Sequence, residues 1–598
     1  MADFVLSSVP WSGENLGFKS VLGDGACFLS IETTVAPRRV AVEFEPPFGL
    51  VILAQDPAPK RVLAAIRSYA MHFIDAIGVC AGALFHTQTG EIVAFRDVFG
   101  WIPLLVTQSG SKSFCLTSSP WVHESLHKKS PIDARWISDF IASREYYSNT
   151  GKNSPFVFER REPWKDASRL LPGEARYFGH RSLRAFLSEF SGKSEIDAPT
   201  DEAHECDVYW RRRHYSTCAL SFEDAAVALA EAHRRAVATI PNENPVFAIS
   251  GGLDSTGIAA AHIKLHGLTR QNPVSAFSLV SSRHRSCDES HELDILEREL
   301  PIKIRRFDMD ETPSISDLEL VRRFAGYGPL CAPALEINLH AYRRVAPEPA
   351  TTTIIFGYGG NYLVKARPEA VLRDLIQRHE WTSAADVFMR CKKAIKSYLF
   401  KRFVAYYLAK WAKLEILQCR ASMRGGALNR AFREKYPQAI FDEVYPLAQV
   451  EERAQLYLSR DWEVFVRAID AVARAARQFF YDPLFSPELY DFCSQMPPQF
   501  FFDGRVSRAL YKAALSPLLP PGILHHPKVQ SFDANVDDVL ARNLSRSRLR
   551  SWMDEDFTDL AGILAFEERF RQDPASVVAI DYWRVCAVRM WRSMMEGA

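Results

Sequence analysis

The sequence has almost no excess of one charge. Its 73 lysine and arginine residues face 72 aspartate and glutamate residues, which leaves a formal net charge of +1. A protein that binds nucleic acid or an anionic membrane surface through its overall charge needs a large excess of basic residues. We therefore expect no nucleic acid among the partners of this protein.

Long apolar runs and paired cysteines are also missing. No uninterrupted apolar run approaches the ~18 residues of a membrane span, and residues 1–20 lack the basic start and apolar core of a signal peptide. The 11 cysteines lie scattered between Cys27 and Cys586, without a CxxC pair or a zinc-like Cys/His cluster. These absences predict a cytoplasmic protein with reduced thiols and no membrane span.

The chain is long enough for more than one domain. It has 598 residues, of which 47% are hydrophobic, so two or more separate cores can form. The first ~205 residues show short strands and turns typical of an antiparallel β-rich layer, with one helix expected at Ala64 to Phe73. Strands are expected here at 28–35, 39–44, 50–54, 81–85 and 92–95.

Beyond Ser221 the pattern changes to alternating helices and strands. This alternation predicts a parallel sheet with right-handed crossovers and a ligand cleft at the carboxyl ends of its strands. Helices are expected at 222–238, 289–300 and 318–324, and strands at 246–250, 273–280, 302–307 and 351–356.

The turn after the first of these strands has the residues of a phosphate site. Two glycines separate an apolar run from an Ala-rich helix that ends at Gly267. The first N–H groups of that helix lack internal partners, and the glycines let a ligand approach closely. Ser250 and Ser255 add hydroxyls, and Asp254 adds a carboxylate that can hold Mg²⁺ or cap the helix. The lysine of the Walker motif is missing, and an ordinary glycine-containing turn remains the alternative.

The six residues SGGLDS resemble the pyrophosphate loop of the asparagine synthetase-like N-type ATP pyrophosphatases. These enzymes cleave ATP between its α and β phosphates and join AMP to a carboxylate. Residues 96–104 (RDVFGWIPL) with 114–119 resemble the RDxxGxxPL segment of the family's glutaminase-type domain, and 171–174 and 209–210 resemble its closing landmarks. By itself, an RDxxG sequence is explained equally well by a strand, an ion pair and a turn. The resemblance therefore rests on the order in which the landmarks occur along the chain.

The resemblance implies a fold of two domains. Residues 1–205 would form a degenerate, β-rich glutaminase-like layer domain of the Ntn type. Residues 206–598 would form a parallel-sheet ATP-pyrophosphatase (synthetase) domain with extra helices. A working glutaminase of this family needs a cysteine at position 2, because its own α-amine is the base. Ala2 is found there and Cys27 is internal, so we expect no glutamine hydrolysis and an amine supplied by the substrate itself.

A second glycine turn follows the fourth strand, at 357–362 (GYGGNY). Lasso peptide cyclases, which close a macrolactam on a ribosomal peptide, show a similar GxGGD followed by a non-acidic residue. Asn361 stands where the aspartate is expected, and a neutral amide is a weaker magnesium ligand than a carboxylate. Three possibilities stay open: Asp254 suffices with phosphate oxygens and water, Asp288 or Glu289 contributes, or the affinity for the metal is reduced.

Two further residues have roles that the resemblance implies. β-Lactam synthetases show a similar GYGxD turn whose tyrosine is implicated in deprotonating the attacking amine, which suggests Tyr358. An unperturbed tyrosine, with a pKa near ~10, is a poor base, and a packed aromatic is the equal alternative. Landmarks at 482–485, 489–496, 503–504, 508 and 519–520 lead to Lys528, which would neutralise charge at the α-phosphate. Its alternative is an ordinary surface lysine.

The resemblance therefore implies an ATP- and Mg²⁺-dependent ligase. The nucleotide contacts it implies are Ser250, Gly251, Gly252, Asp254, Ser255, Gly357 and Gly359, with adenine near Ser278 and Leu279 and metal at Asp254 and Asn361. An ordinary core strand is the alternative for the adenine pair. The expected reaction is lasso macrolactam formation on a precursor peptide, with a leader peptidase and a leader-binding protein as pathway partners. The alternatives are a β-lactam-synthetase-like enzyme and a catalytically weakened peptide-binding homologue.

Overall fold

The computed structural model describes both the N-terminal β-rich part and the parallel-sheet part. The described residues are 4–7, 18–22, 28–32, 40–54, 58–69, 73–74, 77–78, 80–109, 113–118, 131–134, 136–137, 162–193, 205–208, 218–241, 244–285, 288–312, 332–345, 352–364, 366, 368–393, 395–397, 460–525, 568, 587–588 and 590–592.

Strands and helices are numbered in chain order. The strands are β1 (Phe4–Ser7), β2 (Phe18–Leu22), β3 (Phe28–Glu32), β4 (Val40–Glu45), β5 (Phe48–Ala54), β6 (Cys80–His86), β7 (Ile92–Arg96), β8 (Leu105–Ser109), β9 (Ser113–Thr117), β10 (Ala167–Arg169), β11 (Glu174–Phe178), β12 (Glu205–Val208), β13 (Pro245–Ala248), β14 (Val274–Val280), β15 (Ile302–Asp308), β16 (Thr353–Ile355) and β17 (Phe479–Tyr481). The helices are α1 (Pro59–Tyr69), α2 (Leu183–Ser191), α3 (Phe222–Val237), α4 (Leu253–His266), α5 (Ser290–Glu299), α6 (Ala332–Val345), α7 (Gly360–Leu363), α8 (Pro368–Gln377), α9 (Trp381–Arg390), α10 (Arg460–Ala476), α11 (Pro487–Gln495), α12 (Ala509–Leu515) and α13 (Pro521–Leu524).

Two antiparallel sheets form the N-terminal part. Their strand orders are β10-β8-β9-β1-β3-β2 and β12-β11-β7-β6-β5-β4. Alternate residues of β6 divide between two cores. Ala83 and Phe85 join Leu6 and Leu116 of the other sheet, whereas Leu84 belongs to the core on the opposite face. Helices α1 and α2 contribute to that second core, so the sequence expectation of a β-rich layered part is confirmed.

The position of the first helix was predicted wrongly. The sequence pattern placed it at Ala64 to Phe73, but α1 spans Pro59–Tyr69. Proline is compatible with the first helical turn, because the N–H that it lacks would have no partner there. Val62 and Ile66 are buried on one face of α1, and Phe73 lies beyond the helix in a separate buried turn.

The second part is built on a parallel sheet with the strand order β15-β14-β13-β16-β17. All four neighbouring pairs are parallel, and Phe247 of β13 lies between Ala276 of β14 and Ile355 of β16. The order therefore runs outward from β13 in both directions. In such sheets ligands bind at the carboxyl ends of the two strands where the order reverses, here β13 and β16.

The expected strands of this sheet are confirmed, with ends that differ by one or two residues. The expected helices 222–238 and 289–300 correspond to α3 and α5, and the expected helix 318–324 lies outside the described residues. Gly267 ends α4 with a φ of 60°, as its sequence position suggested. Among the helices of the described ranges, none combines the length and apolar character needed to cross a membrane.

Candidate nucleotide site

The loop between β13 and α4 is held by its own hydroxyl groups. The Ser250 N–H donates to Ser255 Oγ at 3.2 Å, and the Gly252 N–H donates to Ser250 Oγ at 3.1 Å. Thr256 Oγ1 donates to the Ser250 carbonyl oxygen at 3.0 Å. These bonds fix the loop so that Gly252 becomes the N-cap of α4, without a side-chain cap. Asp254 therefore does not cap the helix, which was one of its two predicted roles.

A carboxylate oxygen already contacts this loop. The Gly251 N–H donates to Oε2 of Glu289 at 3.1 Å, and both Glu289 and Glu292 are buried at the start of α5. A Cβ atom at Gly251 would lie 2.5 Å from Cβ of Glu292, so only glycine fits here. The loop amide thus donates to a carboxylate oxygen, as the amides of a phosphate-binding turn donate to phosphate oxygens. Glu289, which was considered as a metal ligand, thus contacts the loop directly through Oε2.

The second glycine turn packs directly against the first. A Cβ atom at Gly357 would lie 2.7 Å from the backbone nitrogen of Ser255. A Cβ atom at Gly360 would lie 2.3 Å from Oδ1 of Asp254. The structure therefore brings together the two turns that the sequence marked separately, at the carboxyl ends of β13 and β16.

Asp254 and Asn361, the two predicted metal ligands, share one arginine. Arg508 forms an ion pair with Oδ1 of Asp254 and donates to Oδ1 of Asn361 at 2.8 Å. The guanidinium compensates the Asp254 charge, and a neutral amide supplies the other oxygen. Within the described ranges, no group of three or more His, Cys, Asp and Glu residues is arranged to hold a metal ion. This donor set does not fit a resident Mg²⁺ ion, for which several oxygen ligands with net negative charge are needed.

Asp482 holds the second glycine turn through a hydrogen bond to its backbone. Its Oδ2 accepts the Gly359 N–H at 2.9 Å, and its Oδ1 accepts the Leu484 N–H at 3.0 Å. Burial raises the pKa of Asp482 to about 7, and the nearby charge of Asp254 acts in the same direction. In the sequence, residues 482–485 are a landmark of the family resemblance. The dipeptide Asp482-Pro483 favours a turn, which is the local signal at this position.

Tyr358 lies in the turn as a packed aromatic ring. It stacks on Phe356 with 5.3 Å between ring centroids and meets Phe465 edge to face at 5.4 Å. Burial raises the pKa of Tyr358 to about 12, and the charge of Asp482 adds to this. A higher pKa makes the phenolate scarcer at neutral pH, so this environment favours the packing role over that of a general base.

The remaining predicted residues divide into two groups. Ser278, which is buried, and the half-buried Leu279 lie in the carboxyl half of β14, paired in register with Arg306 and Phe307 of β15. Ser278 and Leu279 thus lie on the strand next to β13, near the edge of the sheet at which the loop between β13 and α4 begins. Lys528 lies outside the described residues.

Together these features define a class of protein: an α/β protein whose two glycine turns meet at a topological switch point, the place where sheets of this kind bind ligands. The match to a family model is more specific. The chain matches the asparagine synthase family model over residues 228–583 and belongs to that family. It is therefore an ATP-dependent amide-forming ligase by family membership. A comparison with curated proteins returns no match.

Proposed function

We propose that this ligase forms a macrolactam in a ribosomal lasso peptide. In the proposed reaction an Asp or Glu side chain of the precursor attacks the α-phosphate of ATP and pyrophosphate leaves. The N-terminal amine of the core peptide then attacks the acyl adenylate, which forms the amide and releases AMP. Holding both groups in one cavity supplies the high effective concentration that ring closure requires.

One observation carries this proposal: the turn at 357–362 has the glycines of a lasso cyclase and lies against the SGGLDS loop. Its last residue is the non-acidic Tyr362, which packs edge to face on Trp462 with 5.1 Å between ring centroids. Gly357 and Ser255 are in close approach, so both turns border one site. In our proposal the loop from Ser250 to Ser255 binds the pyrophosphate part of ATP, and Lys528 stabilises charge at the α-phosphate.

The amine in this proposal comes from the peptide and not from glutamine. Among the described cysteines, Cys80 and Cys115 of the N-terminal sheets are buried, and burial raises the pKa of Cys80 and sets that of Cys115 at about 12. A buried thiol with a raised pKa is a poor nucleophile. We infer that residues 1–205 form a retained Ntn-type scaffold and that 206–598 form the synthetase domain.

The test is an incubation with ATP, Mg²⁺ and a leaderless core peptide, followed by mass spectrometry and a pyrophosphate assay. The expected result is loss of one water from the peptide, with AMP and pyrophosphate formed in equal amounts. Cyclisation of a small β-amino acid derivative in place of the peptide would indicate a β-lactam-synthetase-like enzyme. Absence of pyrophosphate with every acceptor would indicate a weakened peptide-binding homologue.

The loop assignment has its own test in two variants. We expect Ser250→Ala and Asp254→Ala to abolish pyrophosphate release, because Ser250 fixes the loop and Asp254 holds Arg508 beside it. Full activity in both variants would refute this assignment. A leader peptidase and a leader-binding protein encoded beside this chain would support the peptide substrate independently.

A further inference from the structure

Arg508 connects the two glycine turns through one guanidinium group. Its Nη1 pairs with Asp254, in the first turn of α4 after the first glycine turn, and its Nη2 donates to Asn361, in α7 at the second glycine turn. Only 8% of Arg508 and 7% of Asp254 are exposed, so salt screens this ion pair little. The positive charge therefore lies between the two segments that follow β13 and β16, the strands at which the sheet order reverses.

The backbone of Arg508 has an unusual conformation that serves this placement. Its φ and ψ are 61° and 36°, the left-handed region, which costs a residue other than glycine roughly 1 kcal/mol or more. The Arg508 N–H donates to the Phe501 carbonyl oxygen at 2.6 Å, which helps to hold this conformation at the start of α12. Lys512 follows one turn later, and burial and then the charge of Arg508 lower the pKa of Lys512.

The charges of Asp254, Arg508 and Asn361 balance without a metal ion. Asp254 contributes one negative charge, Arg508 one positive charge, and Asn361 none. A divalent cation would be repelled by the guanidinium and would compete with it for the same two oxygens. The guanidinium has five N–H donors in a planar fork that suits phosphate oxygens, and two of its nitrogens bond Asp254 and Asn361.

We propose that Arg508 is a cation built into the chain between Asp254 and Asn361, and that it holds the phosphates of ATP there in place of a resident Mg²⁺ ion. This inference rests on the proposed function, in which the loop from Ser250 to Ser255 binds the pyrophosphate part of ATP. Any magnesium then enters with the nucleotide and not through Asp254 and Asn361. The same arrangement explains why the side chain at position 361 is a neutral amide, because a second carboxylate there would attract a metal ion.

The first test measures metal binding without nucleotide or peptide. Mn²⁺, titrated under electron paramagnetic resonance, should show no bound ion on the wild-type protein. The double variant Arg508→Gln/Asn361→Asp should bind one Mn²⁺, because two carboxylates then face each other without the guanidinium. One Mn²⁺ bound to the wild type and lost in Asp254→Asn would overturn the proposal.

The second test measures binding of α,β-methylene-ATP by calorimetry in Arg508→Gln, Arg508→Lys and Arg505→Gln. We expect Arg508→Gln to weaken binding about tenfold or more and Arg508→Lys to weaken it less, since lysine keeps the charge without the fork. Arg505 is exposed in the preceding turn and is the matched control, with unchanged affinity. Thermal melting of each variant shows that it is folded.

Unchanged affinity in a folded Arg508→Gln variant would overturn the phosphate contact. Failure of the wild type to bind the analogue would overturn the ATP-dependent function and with it that contact. The Mn²⁺ titration is independent of nucleotide, so it still decides whether Arg508 excludes a metal from Asp254 and Asn361. The two failures are therefore distinguishable.

Discussion

Gly357 has no room for a side chain, because a Cβ atom there would lie 2.7 Å from the backbone nitrogen of Ser255. We expect Gly357→Ala to push the two turns apart, to destabilise the protein by about 1–3 kcal/mol and to abolish pyrophosphate release. Thermal melting and a pyrophosphate assay measure both effects. Gly522→Ala is the control, since its nearest neighbour, Ile295, would be at an ordinary 3.6 Å. Full activity in Gly357→Ala would show that the two turns need not touch.

Tyr358 provides a second test at the scale of one residue. If its role is packing, Tyr358→Phe should keep pyrophosphate release and amide formation within about threefold of wild type, since the ring and its stacking on Phe356 remain. If the phenol were the general base, removing it would cost roughly 10²–10⁴ in rate. Rates with saturating ATP and peptide distinguish the two roles, and a loss of that size would refute the packing role.

Individual contacts of the site differed in how far the sequence could predict them. The loop from Ser250 to Ser255 was predictable, because the residues that fix it are adjacent in the chain. The contact of Asp254 with Arg508 was not, since 254 residues separate the two partners. A basic residue at 508 was visible as a landmark, but no local pattern specifies which carboxylate it will meet in the fold.

At the scale of elements, periodicity and turn residues predicted best. β13, α4 and the Gly267 cap followed from an apolar run, two glycines and an Ala-rich segment. β17 was missed because it has three residues, and its strand character comes from pairing with β16 more than a hundred residues earlier. The start of α1 was predicted five residues too late, at Ala64, whereas the helix begins at Pro59, where proline is compatible with a first turn.

The loop after β7 contains a buried acid whose titration should affect stability. Oδ1 of Asp97 accepts the Phe99 N–H at 2.9 Å, and burial raises the pKa of Asp97 from its ordinary value to about 7. Folding thus favours the protonated form. The contribution of Asp97 to the free energy of unfolding is fully favourable below about pH 4, and it is lost as the pH rises towards about 7.

We therefore expect Asp97→Asn to flatten the pH dependence of stability. Between about pH 5 and pH 8, the free energy of unfolding of the variant should rise relative to that of wild type by on the order of 2 kcal/mol, because the asparagine side chain does not ionise. Thermal melting across this range measures the difference. Asp166→Asn, at an exposed position before β10, makes the same substitution outside the core and is the control. Parallel curves for Asp97→Asn and wild type would contradict the buried-acid explanation.

At the scale of the whole molecule, the motifs of the N-terminal part have a structural role. Arg96 is fully buried, and its guanidinium donates to the carbonyl oxygens of Ile102 at 2.8 Å and Leu170 at 2.7 Å. The Gly173 N–H donates to the Asp97 carbonyl oxygen at 2.7 Å. The two landmarks at 96–104 and 171–174 therefore bond each other, which explains why they occur together in the sequence.

The same loop contacts the parallel-sheet part. Trp462 Nε1, on α10, donates to the Phe99 carbonyl oxygen at 2.7 Å. The rings of Phe99 and Trp101 pack against Phe485 with centroid distances of 5.4 Å and 5.1 Å. Phe485 follows Asp482, which holds the second glycine turn. A continuous set of contacts thus links the N-terminal loop to the candidate nucleotide site.

This linkage predicts that Phe99→Ala will affect both parts of the molecule. Phe99 is 1% exposed, and truncating a buried phenylalanine typically costs about 3–5 kcal/mol. We expect one cooperative unfolding transition at a lower temperature and slower pyrophosphate release per folded molecule, because Phe485 and the turn held by Asp482 lose their support. Phe44→Ala, at a ring that is 43% exposed, should change neither quantity measurably. Two unfolding transitions with unchanged pyrophosphate release in Phe99→Ala would show that the N-terminal part is energetically independent of the site. A single transition with impaired release means that the N-terminal part stabilises the candidate nucleotide site.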